Sequence, residues 1–126
     1  MTTLGELEAA ICEGVARFEK QYMGRGPRAI RSHLLGDLVV VRVHGVLTPA
    51  EQQMVNALPP EKGRDLLKEV RTHLIEAARP IMEDMVESVT GSEVLSLHHD
   101  MSTVTGEEIV LFTLARASAV REPKRA

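Results

Sequence analysis

Between Arg28 and Leu47 the chain reads RAIRSHLLGDLVVVRVHGVL, two apolar runs split by Gly36-Asp37. No other stretch limits the possible folds as much. Apolar runs on either side of a Gly-Asp pair signal a tight β-hairpin. In the second run Val39, Val41 and Val43 share one face, and Val40, Arg42 and His44 share the other. The end of the chain repeats the arrangement. EVLSLHHDMS and EEIVLFTLARA flank TVTG, which predicts a second hairpin.

The segments around the hairpins carry helical periodicity. Over residues 3–22, Leu4, Leu7, Ile11, Val15, Phe18 and Tyr22 recur at three- and four-residue steps, and Thr3 with Glu6 suits a capping box. The glycines of MGRGPR stop that helix, and Pro27 drives Gly26 towards an extended shape. TPAEQQMVNAL predicts a short helix, with Thr48 as N-cap, Pro49 in its first position and Glu51 closing a capping box. PPEKG ends it. A long helix is then expected from about Arg64 to Val89, with Leu67, Val70, Leu74, Ala78, Ile81, Met85 and Val89 as its apolar stripe and a kink at Pro80. Glu69, Glu76, Glu83, Asp84 and Glu87, interleaved with Arg71 and Arg79, read as a solvated face of that helix. Two helix–hairpin units predict an α+β fold: a four-stranded antiparallel sheet with helices packed on one face. The 126 residues fit one domain, 1–126, with a tail at about 119–126 expected to fray.

Composition removes several function classes. A net charge of −3 gives no general attraction to nucleic acid. No run of about eighteen apolar residues is present to span a membrane. The N-terminus carries acids where a signal peptide carries bases, so a cytoplasmic location is expected. The single Cys12 excludes an internal disulfide and reads as a buried thiol.

Three groups invite a chemical reading. The first is SLHHDMS. Strand alternation places His98 and His99 on opposite faces, so the pair cannot close on one metal, and no metal or other cofactor is expected. His99 then falls on the apolar face as a core-edge histidine. The second is the polar face of the sheet. Arg31, Arg42, His44, His98 and Asp100 share its parity and could hold a small oxyanion, because arginine pairs oxyanions through its planar fork. The same face could instead be solvated or buried in a dimer. The third is the basic cluster of Arg17, Lys20, Arg25 and Arg28 around GRGPR, which could dock an acidic or phosphate-bearing partner or form a solvated rim. That loop follows a helix and enters a strand, the reverse of a phosphate-binding loop, and it lacks the Lys-Ser/Thr ending. A serine hydrolase is excluded by the lack of any GxSxG elbow.

The ordered motifs GRGP, GVLTPAE, VRTHLIEAARP, VTG and HHDMS…FTL resemble the MpsC-like family, a component of a sodium-translocating, membrane-potential-generating system. The positions that match are Gly24, Gly26, Pro27, Leu47, Thr48, Glu51, Arg71, Gly91, Asp100 and Phe112. The resemblance implies a small soluble protein working beside membrane partners in cation movement and inorganic-carbon uptake. It brings no catalytic residues with it. The expectation is a non-enzymatic accessory or regulatory protein, a homodimer with a membrane-protein partner. The rival is a small-anion or small-ligand sensor using the Arg/His sheet face.

Overall fold

The computed structural model describes residues 3–117. The expected frayed tail at 119–126 lies outside them. Helix α1 (Leu4–Tyr22) leads into strands β1 (Ala29–Leu35) and β2 (Leu38–His44). Helices α2 (Pro49–Ala57), α3 (Pro60–Ala77) and α4 (Arg79–Thr90) follow, then β3 (Val94–Met101) and β4 (Glu107–Leu114). The strands form one antiparallel sheet in the order β1-β2-β4-β3, so the two hairpins lie side by side. The helices cover one face of it, as the α+β reading requires.

The covered face is built by strand alternation. Val39, Val41 and Val43 of β2 and Val110 and Phe112 of β4 have no exposure, and Leu34, Leu97, Met101 and Leu114 extend the layer. Leu7, Ile11, Val15 and Phe18 of α1 close over it. Burying such side chains stabilises the fold by about 1.5–3 kcal/mol each. Cys12 is only half-buried, with Sγ 3.4 Å from Ser32 Oγ. The ends of α2 follow from sequence. Thr48 Oγ1 accepts from Glu51 N at 3.2 Å, and Glu51 Oε1 accepts from Thr48 N at 2.9 Å, which closes the capping box.

The single long helix expected from Arg64 to Val89 is two helices, and the first starts earlier. Pro60 opens α3 because a proline in the first helical position gives up no hydrogen bond. Gly63 is no breaker there. A Cβ on it would stand 3.2 Å from the Val55 backbone, so its missing side chain lets α2 lie against α3. Pro80 supplies no N–H and its ring crowds the carbonyl one turn back. The chain breaks at Ala78 (φ −98°, ψ 6°) and restarts, with Ile81 N bonding Ala78 O at 3.0 Å.

The stripe also sits one residue away from the expected phase. The buried positions of α3 are Gly63, Leu67, Arg71 and Ile75, and Ala78, Met82 and Val86 carry the burial onward. Val70 and Leu74, assigned to the core from sequence, are 41% and 43% exposed. The expected solvated face is corrected by the same shift. Arg71 is fully buried, whereas Arg79 pairs with Glu83 at 2.8 Å on the partly exposed side.

Candidate functional site

Three carboxyl side chains, and a histidine through one of them, gather around Arg71 behind the sheet. They come from α1 (Glu19), α2 (Glu51), β3 (His99) and β4 (Glu108), so with α3 five elements share one node. The local periods place each one. Glu19 follows Phe18 on the apolar stripe of α1. Arg71 is four residues from both Leu67 and Ile75. Glu108 has the parity of Val110 and Phe112, and His99 that of Leu97 and Met101.

The guanidinium spreads its nitrogens over three carboxyl groups. Nε donates to Glu108 Oε2 at 2.9 Å, Nη1 to Glu51 Oε2 at 3.1 Å, and Nη2 to Glu19 Oε2 at 3.0 Å. A planar fork of fixed donors suits such a task, and an ammonium does not. Glu51 serves twice, since the oxygen that caps α2 lies 3.3 Å from Nη1. His99 Nε2 lies 3.0 Å from Glu108 Oε2. The Glu19 carbonyl accepts from Met23 N and Arg25 N and so ties the turn after α1 to the same residue.

Three carboxyls around one guanidinium is one acid too many for a dry site, and the protonation states separate accordingly. Burial pushes the Glu19 carboxyl up to about 9, and the neighbouring Glu108 pushes it the same way against the pull of Arg71. Burial also opposes ionisation of Glu108, but hydrogen bonds from His99 and Glu19 and the Arg71 charge overcome it and hold Glu108 at about 2. Arg71 is desolvated, yet the charges of Glu108 and Glu19 raise it above its ordinary value. The consistent state has a protonated Glu19 donating to an ionised Glu108. Glu108 Oε1 is a buried oxygen with no hydrogen-bond partner among the described residues, whereas Oε2 receives Arg71 and His99. The centre of the node is buried, with Arg71 and Glu108 unexposed and Glu19 at 1%, while Glu51 at its rim keeps 17% of its side chain exposed.

The residues singled out from sequence lie on the other, uncovered face. Arg31 stands opposite Arg42 across β1 and β2. Arg42 Nη2 and His44 Nε2 both bind Glu107 Oε2, at 2.7 and 3.1 Å. The Arg42 hydrogen bond, outweighing a small burial penalty, holds Glu107 below the usual carboxylate range. His98 and Asp100 share this face, but β4 runs between them and Arg42, with Leu111 opposite His98 and Ile109 opposite both Asp100 and Arg42. Two strand spacings of about 4.8 Å separate β2 from β3. Asp100 turns instead to Lys68 Nζ at 3.0 Å, and that bond, with one from Met101 N, holds its carboxyl low. The face therefore carries two groups of polar side chains. His98 and His99 point to opposite sides of the sheet, as alternation required. In the basic cluster, Arg17, Lys20 and Arg28 are exposed, and Arg25 Nη1 donates to Leu47 O at 3.2 Å.

Comparison with known proteins adds the family. The family model described as "Na+-translocating membrane potential-generating system (MpsC)" matches residues 3–116. The chain belongs to the MpsC family. A relative within reach of alignment is "Uncharacterized protein YbcI" of Bacillus subtilis (strain 168), 33% identical over 110 residues, which cover 87% of this chain and 86% of the relative. No solved structure matches. Glu51 and Arg71, two members of the buried node, lie in the segments GVLTPAE and VRTHLIEAARP through which the MpsC resemblance is visible.

Proposed function

We propose that this MpsC-family chain is a non-enzymatic accessory or regulatory protein of a membrane cation and inorganic-carbon system. The observation behind this reading is the closed node. The densest set of acid, base and cation in the molecule is spent on itself, with every Arg71 nitrogen bound to a carboxyl group of the same chain. Such a node fixes five elements and offers nothing to a substrate. The family description supplies the membrane system. No helix among the described residues is long and apolar enough to cross a membrane, so a translocation path would come from a partner protein. Deleting the chain in its host should lower the membrane potential, read with a potential-sensitive dye in sodium medium, and re-expression should restore it. An unchanged potential would sink the reading.

The same role is served by a dimer, and the exposed side of α3 supports one. Leu66, Val70 and Leu74 follow each other at four-residue steps and are all exposed. A small domain gains from covering such a stripe. Light scattering at micromolar concentration should report twice the chain mass; a clean monomer excludes the dimer.

A further inference from the structure

A cavity of about 750 Å3 opens between the second half of α1 and the segment leading into β1. Its charged lining is Arg17, Lys20 and Arg28, and no carboxylate lines it. Small residues make the hollow: Ala16, Gly26 and Ala29 stand where longer side chains would fill it. Arg28 is placed there by the fold. Its N–H donates to His44 O at 2.8 Å, and its aliphatic stem lies over Gly45. A Cβ on Gly45 would fall 2.7 Å from Arg28 Cβ, and the glycine itself sits at φ +73°. The chain as a whole is at −3, so the cations are a local feature; of the exposed acids of α1, Glu6 lies in its first turn and Glu13 at its midpoint, one turn before Arg17.

A smaller cavity of about 100 Å3 shares Arg17 and Gln21 with the first and is lined by Tyr22, Ile81 and Met85. Tyr22 and Ile81 are exposed, and the Tyr22 ring is steadied by stacking on Phe18 at 5.4 Å. A cationic hollow thus borders a ring with a hydroxyl tip and an aliphatic edge. That combination matches the layering of a membrane surface, with phosphate outermost, then the amphipathic belt favoured by tyrosine, then hydrocarbon. A soluble phosphate would use the cations and leave the apolar edge unused.

We propose that this face docks on a membrane surface carrying anionic phospholipid, with a headgroup phosphate between Arg17, Lys20 and Arg28 and with Tyr22 and Ile81 against the acyl boundary. The proposal deepens the accessory-protein reading by giving the chain its own hold on the membrane. Its test needs only purified chain and lipid, so it can fail while the membrane-potential test succeeds, and the reverse.

The experiment is co-sedimentation with vesicles of phosphatidylcholine alone and of phosphatidylcholine mixed with phosphatidylglycerol. Wild type should sediment with the mixed vesicles and stay in solution with phosphatidylcholine. Arg17→Gln and Arg28→Gln should each weaken binding about five-fold, the effect of one basic side chain at an anionic surface, with melting temperatures near wild type. Lys62→Gln makes the same charge change at an exposed site on α3 and should leave binding unaltered. Equal sedimentation with both vesicle types would overturn the proposal, and so would a loss in Lys62→Gln matching that in Arg17→Gln. Calorimetry with inorganic phosphate separates the sources: binding as tight as that to vesicles would make this a soluble-phosphate site and overturn the lipid assignment. Failure to bind either vesicle would also overturn it and leave the groove to an acidic protein segment.

Discussion

Replacing Arg71 with methionine should destabilise the protein by roughly 3–5 kcal/mol, the usual penalty for removing one partner of a buried ion pair. Methionine matches the length of the arginine stem and keeps the packing of α3 on the sheet, so cavity formation contributes little. What remains is Glu108, ionised and without exposure, with only His99 and the Glu19 proton to hold it. Arg71→Lys should recover only part of the loss. One ammonium cannot present separate donors at 2.9, 3.0 and 3.1 Å to carboxyl groups arriving from β4, α1 and α2. Urea denaturation of the three proteins at neutral pH measures both effects. If Arg71→Met unfolds within about 1 kcal/mol of wild type, well below that penalty, the node contributes little and the account of the fold built on it fails.

The node also shows which parts of this fold are legible in sequence. Hairpin turns, the capping box of α2 and the side of the sheet taken by each residue follow from local rules, and they agree with the structure for Val39, Val41, Val43, His98 and His99. The phase of α3 does not. A charged residue is ordinarily placed on the solvent side, and excluding Arg71 from the core tilts the apparent stripe from Leu67, Arg71 and Ile75 towards Val70 and Leu74. The same habit hides Glu19 beside Phe18 and Glu108 in line with Val110. Taken singly, each is a polar residue at an apolar position. Taken together they are one cation and two acids at core positions on three elements, and a dry core tolerates such residues only if they meet. That joint condition was available from periodicity alone. The Lys68–Asp100 pair was not, because it depends on α3 lying beside β3 at the edge of the sheet. The Arg42–Glu107 pair needed the strand order that puts β4 next to β2.

The separated protonation states of Glu19 and Glu108 give stability a pH dependence whose sign can be worked out for each residue. Glu19 rises from an ordinary 4.5 to about 9 on folding, so between those values the native state holds a proton that the unfolded chain has released. Its contribution is full below about pH 4.5 and declines as pH climbs towards 9. Glu108 runs the other way. Held at about 2, it contributes fully above the ordinary 4.5 and loses that contribution as pH falls towards 2. Glu19→Gln separates the two. The amide oxygen can accept from Arg71 Nη2, and the amide nitrogen can donate to the Glu108 carboxylate in place of the carboxyl proton, with nothing left to titrate. Relative to this variant, wild type should therefore lose stability between pH 6 and pH 8, by at least about 1 kcal/mol against a ceiling of about 1.4 kcal/mol per pH unit for one proton. Glu108→Gln should behave differently. It removes the charge that Arg71 and His99 both face, lowers stability by roughly 3 kcal/mol at neutral pH, and flattens the acid limb below pH 4.5. Urea titrations at pH 4, 6 and 8 on the three proteins decide the matter. Parallel curves for wild type and Glu19→Gln between pH 6 and 8 would mean that Glu19 is ionised in the native state and that the proton bridging the two carboxyl groups does not exist.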